Sequence, residues 1–203
     1  MLPRHKSKPE CRDTDPDSFQ AGHFTLHGLW PNKTSCGTHY GFCGKYKEPE
    51  KHFCDYDPIP MSGDTLKQLG TYMPSAKHGS CLQRHEWYKH GTCQTTWSAD
   101  EYFKTAIRLV EDFNENGMAA FMKEHMGQRV HVNDFFKAVD TSFGKDAHRR
   151  MKIICKKTYL TDIYINLPEE ISESSTLGDI IQDAPEAFDC NCGDSFFVDE
   201  IGY

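Results

Sequence analysis

Nine cysteines are scattered through 203 residues: Cys11, Cys36, Cys43, Cys54, Cys81, Cys93, Cys155, Cys190 and Cys192. No two of them form a CxxC pair, which weakens the zinc-ribbon and thioredoxin readings. Wide, irregular spacing of this kind points to disulfides, and disulfides point to an oxidising compartment. Their odd number leaves at least one thiol without a partner in the chain. The first twelve residues are rich in Lys, Arg and Pro and carry no apolar stretch of the signal-peptide kind. A secreted or periplasmic location is therefore expected to depend on a segment lost upstream of Met1.

At this length one domain buries roughly 70% of the surface its unfolded chain exposes, so a core needs no metal. The expected organisation is a loop-like arm over residues 1–20 and a single domain over 21–203. A formal net charge of -7 argues against a broadly basic surface for nucleic acid, so any polyanion must be held by local groups. No apolar run approaches the ~20 residues of a membrane span, and no membrane partner is expected.

The hydrophobic pattern predicts strands and helices in separate blocks. His23–Leu29 reads as a short strand. Residues 31–63 read as a long cross-linked loop. Thr65–Met73 has helical spacing and stops at Pro74. Ser98–Asn116 is the clearest helix, with Ser98 and Glu101 as a capping box and Gly117 as its stop. Met118–Met126 and Asp134–Phe143 follow as helices, the latter capped by Asn133. Met151–Cys155, Tyr159–Leu167 and Phe196–Val198 read as strands, with an acidic loop over 168–190. Helices set between separated strands indicate an α+β fold with an antiparallel sheet packed against several helices.

Two histidine-bearing segments carry the chemistry: Phe24-Thr25-Leu26-His27-Gly28-Leu29-Trp30-Pro31 and His85-Glu86-Trp87-Tyr88-Lys89-His90-Gly91-Thr92-Cys93. On a helix His85, Glu86, Lys89 and His90 span an arc of roughly 140°. One acid, one cation and two groups that titrate near neutrality thus crowd into one patch. A zinc protease would need its histidines four apart; here they are five apart, and Lys89 would repel a dication. Metal-free acid–base chemistry fits better. Cleavage of RNA by its own 2′-hydroxyl needs a base, an acid and a cation for the charged phosphorane. Two imidazoles titrating near 6.5 can supply the first two, and Lys89 the third. Alone, His27 in an apolar segment would read as an ordinary hydrogen-bonded residue. The other eight histidines have no local constellation.

Both segments resemble the two active-site segments of the ribonuclease T2 family, the acid endoribonucleases that use no metal. His27–Pro31 resembles the first and His85–Cys93 the second, in the right order. Asn191-Cys192-Gly193 and the Phe196–Tyr203 tail look like the family's closing strand. The resemblance implies cleavage of single-stranded RNA through a 2′,3′-cyclic phosphate to a 3′-phosphate end, with low base specificity, no cofactor and no metal. It implies that His90 is the general base and His27 the general acid, that Lys89 and Glu86 stabilise the pentacoordinate intermediate, and that His85 binds phosphate. Trp30 is implied to stack on a base, a contact of ~1–3 kcal/mol that tolerates any base. Asn32 and Tyr40 are further candidates for that pocket. The family's disulfides imply Cys93 tied to the loop after Trp30, with Cys43 preferred to Cys36 or Cys54, and then Cys54–Cys81 and Cys155–Cys192. Members normally open with an apolar strand carrying a Ser-Trp-x-Pro-type segment and a cysteine for the one at Cys11; this chain has neither, so the usual first strand is missing. The catalytic domain is expected to be a monomer acting on RNA. A non-catalytic RNA-binding or cytotoxic protein on the same scaffold, or an inactive truncated product, is the alternative.

Overall fold

The computed structural model describes residues 15–33, 40–187 and 189–199. Cys11, Cys36 and most of the N-terminal arm lie outside them. In chain order the α-helices are α1 (Phe19–Gly22), α2 (Gly63–Tyr72), α3 (Pro74–Lys77), α4 (Leu82–Lys89), α5 (Ala99–Phe113), α6 (Ala119–Glu124), α7 (Val132–Phe143) and α8 (Leu177–Ile181). The strands are β1 (Arg129–His131), β2 (Met151–Lys156), β3 (Tyr159–Ile165), β4 (Asp189–Cys190) and β5 (Ser195–Phe197). The chain divides into two compact units, residues 25–110 and residues 15–24 with 111–199. Among the described residues no helix is long and apolar enough to cross a membrane.

The first unit is helical and holds both histidine segments. The Ser62 hydroxyl accepts the Thr65 amide and caps α2. Pro74 ends that helix and opens α3 at its first turn, where a missing N–H does no harm. The capping box opening α5 forms as the sequence predicts: Ser98 Oγ accepts the Glu101 amide and Glu101 Oε2 accepts the Ser98 amide. Leu69 and Met73 pack against Tyr102, Phe103 and Ile107, and Leu26, Leu29, Leu82 and Trp87 close over this cluster.

The expected strand at His23–Leu29 is extended but joins no ladder. Its backbone groups find other partners. In the second unit the buried Asn114 carboxamide accepts the Phe24 amide at 2.8 Å and donates to the Phe24 carbonyl at 3.0 Å, doing for one residue what a neighbouring strand would do. In the first unit Leu26 N–H donates to the Tyr72 carbonyl at 2.7 Å, and the Tyr102 hydroxyl donates to the Leu29 carbonyl. His27 is thereby pinned between two anchored leucines.

The second unit carries the sheet, in the order β1-β5-β3-β2-β4. β2 and β3 form an antiparallel hairpin across Lys157 and Thr158, and β1 pairs antiparallel with β5. Two short parallel pairings, β2 with β4 and β3 with β5, complete the sheet of the expected α+β fold. Ile153 and Phe196 are fully buried, and Phe135 of α7 meets Phe196 edge-on at 5.7 Å. The acidic stretch 168–190 is not all loop: Thr176 and Asp179 cap α8 reciprocally, a signal the local acidity obscured.

Among the described residues three disulfides are present, Cys43–Cys93, Cys54–Cys81 and Cys155–Cys192, the pairs the resemblance implied. Cys43–Cys93 spans 50 residues. Replacing both of its cysteines by serine should lower the unfolding free energy by roughly 4 kcal/mol through the released loop entropy, read as a fall in urea midpoint. An unchanged midpoint would show that the staple constrains nothing.

Candidate active site

Helix α4 sets the site. Its face toward the core carries Leu82 and Trp87, and Glu86 lies on the same buried side. His85 and Lys89 stay half-exposed, and His90 forms the C-terminal cap. The helix ends at Lys89, and only glycine fits just past its cap, since a Cβ at Gly91 would stand 2.3 Å from the Trp87 ring. The chain end of the helix is tied to the stapled loop. Phe42 N–H donates to the otherwise free Lys89 carbonyl at 2.7 Å, and Tyr40 donates its hydroxyl to the Cys93 carbonyl at 3.0 Å.

Glu86 is the centre of the arrangement. Its residue is 1% exposed. Oε2 accepts the Trp30 indole N–H at 2.5 Å, and Oε1 lies 3.6 Å from His27 Nε2, a charge contact longer than a hydrogen bond. The Trp30 ring has His27 edge-on at 5.2 Å and the tilted His90 ring at 5.2 Å. Both imidazoles therefore flank one indole. The His27 side chain is 55% exposed and Trp30 is 37% exposed, whereas His90 is buried and its Nδ1 has no hydrogen-bond partner. Gly28 makes the approach possible: a Cβ on it would fall 2.0 Å from Glu86 Oε2 and 2.8 Å from the indole nitrogen.

Burial shapes the charges. Loss of water pushes the Glu86 carboxyl up to about 7, against the opposing pull of the indole N–H and the Lys89 ammonium. Burial, then Lys89 and His27, lower His85 to about 4. The same causes, with His85 added, lower His90 to about 3. Lys89 makes no ion pair among the described residues. Near neutrality the patch holds neutral His85 and His90 and a half-ionised acid beside the Lys89 side chain. Such a set can take a proton, give one, and hold an oxyanion.

The structure thus brings His27, Trp30, His85, Glu86, Lys89 and His90 together. Asn32 instead turns its Oδ1 to the Lys33 amide, and the Tyr40 hydroxyl is engaged by Cys93. Sequence reasoning passed over three neighbours of His85. Phe53 stacks on its ring at 4.3 Å, the Tyr56 hydroxyl lies 3.4 Å from its Nδ1, and Arg84 Nη1 donates to the Cys54 and Tyr56 carbonyls at 2.9 and 2.8 Å. The available signal was a run of aromatics, Tyr46, Phe53 and Tyr56, in a segment read only as a stapled loop.

A model of the Ribonuclease T2 family matches residues 4–190. Ribonuclease I of Escherichia coli is 29% identical over 218 residues, covering 97% of this chain and 78% of that protein. Ribonuclease T2 of Homo sapiens is 27% identical over 184 residues, covering 86% of this chain but 59% of its own length. Among solved structures, Actibind, a T2 ribonuclease, is similar with a TM-score of 0.56 at 19% identity, over 94% of this chain and 84% of its own. A self-incompatibility-associated RNase of Nicotiana alata follows with a TM-score of 0.54 at 17% identity, over 87% and 85%. At these identities the solved structures speak for the fold alone.

Two outcomes follow from the geometry of Glu86. Gly28→Ala must displace the buried carboxyl, so it should destabilise the protein by about 1–3 kcal/mol in chemical denaturation. A neutral result would mean the contact relaxes freely. The raised Glu86 pKa also has a sign. Between 4.5, its ordinary value, and about 7 the folded state holds a proton that the unfolded chain has released. Its contribution is complete below pH 4.5 and is lost as pH rises through about 7. Glu86→Gln cannot lose it. The melting temperature of the variant relative to the parent should therefore rise from pH 4.5 to 7, and a flat difference would refute the buried-acid assignment.

Proposed function

Since the chain belongs to the Ribonuclease T2 family, we propose that it is an endoribonuclease cleaving single-stranded RNA through a 2′,3′-cyclic phosphate. The observation that carries this reading is the placement of His27 and His90 on one Trp30 ring, beside Lys89 and the buried Glu86. His90 is neutral and takes the 2′-hydroxyl proton. The freed oxygen attacks phosphorus, and His27 delivers a proton to the departing 5′-oxygen. In the second step the roles reverse: His27 takes a proton from water, the oxygen opens the cyclic phosphate, and His90 returns a proton to the 2′-oxygen, leaving a 3′-phosphate.

The charges support these roles. Burial and then the Lys89 field depress His90, and a bound phosphate offsets the second of these, so His90 becomes more basic when substrate arrives. Lys89 meets the extra negative charge of the phosphorane. Glu86 in its protonated form donates to a phosphoryl oxygen, which an ionised carboxylate would repel. The exposed part of Trp30 offers a base a stacking surface that does not read base edges, which fits low specificity. The disulfides fit an oxidising, secreted or periplasmic setting.

His27→Ala and His90→Ala should each lower turnover on RNA by ~10²–10⁴ with the fold retained, measured by release of acid-soluble nucleotides in the presence of EDTA. Near-normal turnover in either variant removes that residue from the scheme. The profile of kcat/KM should be bell-shaped, losing activity on the acid side as His90 protonates and on the alkaline side as Glu86 ionises near 7. A profile still climbing at alkaline pH would overturn the assignment. DNA, which lacks the internal nucleophile, should remain uncut.

A further inference from the structure

His85 is surrounded more completely than its proposed task of holding a phosphate oxygen requires. Its ring is stacked on Phe53 at 4.3 Å and meets the Phe42 edge at 6.2 Å. Tyr56 stands against it, 1% exposed, with its own ring fixed by Tyr46 edge-on at 4.9 Å and Tyr88 stacked at 5.4 Å. The Tyr56 hydroxyl accepts the Glu50 amide proton at 3.0 Å and lies 3.4 Å from His85 Nδ1.

We propose that Tyr56 is a positioning residue that holds His85 in a single tautomer, Nδ1 accepting and Nε2–H left as the donor for a phosphate oxygen. The assignment rests on hydrogen-bond accounting. A phenol has one proton to give. Among the described residues the buried Tyr56 hydroxyl meets the Glu50 amide, which can only donate to it, and His85 Nδ1, so the phenol proton finds its acceptor at Nδ1, and a nitrogen that accepts carries no proton of its own. Burial raises the Tyr56 pKa and keeps that proton in place. A flip of the ring would put Cδ2 where Nδ1 meets the Tyr56 hydroxyl and lose that hydrogen bond, and the stack on Phe53 holds the ring in its plane.

The clamp itself is anchored. Arg84, next to His85 on α4, ties down the Cys54 and Tyr56 carbonyls, and the Cys54–Cys81 disulfide joins the same turn to the residue before the helix. The charged and titratable groups acting on His85 are Lys89 from its own helix, His27 from the extended segment and Tyr56 from the loop. Both bases disfavour a second positive charge. The arrangement has a chemical purpose beside two proton-transferring imidazoles: a third that could tautomerise or titrate would compete as donor and sink. Tyr56 makes it a fixed neutral donor.

The inference rests on the phosphate-binding reading of His85, but its test does not need RNA. In the whole protein with nitrogen-labelled histidine at neutral pH, the His85 ring should show a protonated Nε2 and a bare Nδ1. Tyr56→Phe, which keeps the ring, should shift His85 toward a mixture of tautomers. It should also raise KM for a dinucleotide substrate about fivefold, the loss of one hydrogen bond, while kcat changes little. A loss of packing alone would not move the tautomer. The proposal is overturned if His85 carries its proton on Nδ1 in the parent protein, whether or not the variant folds. It is equally overturned if Tyr56→Phe leaves the tautomer or KM where they were. Failure of the RNA-cleavage reading would be seen separately, as undiminished turnover in His27→Ala and His90→Ala.

Discussion

A carboxyl group taken out of water governs the architecture around it. Glu86 sits on the core side of α4, where an apolar residue would be expected, and an uncompensated charge there would be strongly unfavourable. The chain answers in two ways. It supplies a donor, the Trp30 indole, and it lets the acid keep its proton to about 7. The first answer obliges Trp30 to come close, which obliges residue 28 to lack a side chain. His27 and His90 then both lie against the indole. The constellation is thus a packing solution for one buried acid, whatever chemistry it serves.

The stapled loop has a matching role. Through Phe42, Tyr40 and the Cys43–Cys93 bond it completes the end of α4, where helix carbonyls would otherwise lack partners. His90 belongs to that same helix end. A frayed last turn would release it, so cross-linking and catalytic geometry are aspects of one local problem. The loop also brings Phe53 and Tyr56 against His85, which gives its aromatic content a use that its reading as a mere connection did not anticipate.

What could be read from the sequence followed local rules. The capping box at Ser98 and Glu101, the stop at Pro74 and the two strands β2 and β3 depend on near neighbours, and each was legible. The crowding of His85, Glu86, Lys89 and His90 was legible for the same reason, since helical spacing fixes who shares a face. Contacts between distant segments were not. Nothing local says that Asn114 would satisfy Phe24 across 90 residues, and so an extended apolar run was read as a ladder strand. Alternation reports which side chains are buried; it does not report where the backbone bonds go. Likewise the anchor of Trp30 is Glu86, 56 residues on, and residue spacing carried no trace of it.

Lys89 makes no ion pair among the described residues, on a chain whose formal charge is -7. Long-range attraction of a polyanion is therefore weak, and grip falls to groups close to the site. On the proposed reading, a strand cut there would gain a terminal phosphate, whose added negative charge a net acidic molecule disfavours. Fragments would then leave readily for the same reason that capture is inefficient, and processive travel along a polymer would be disfavoured from the outset.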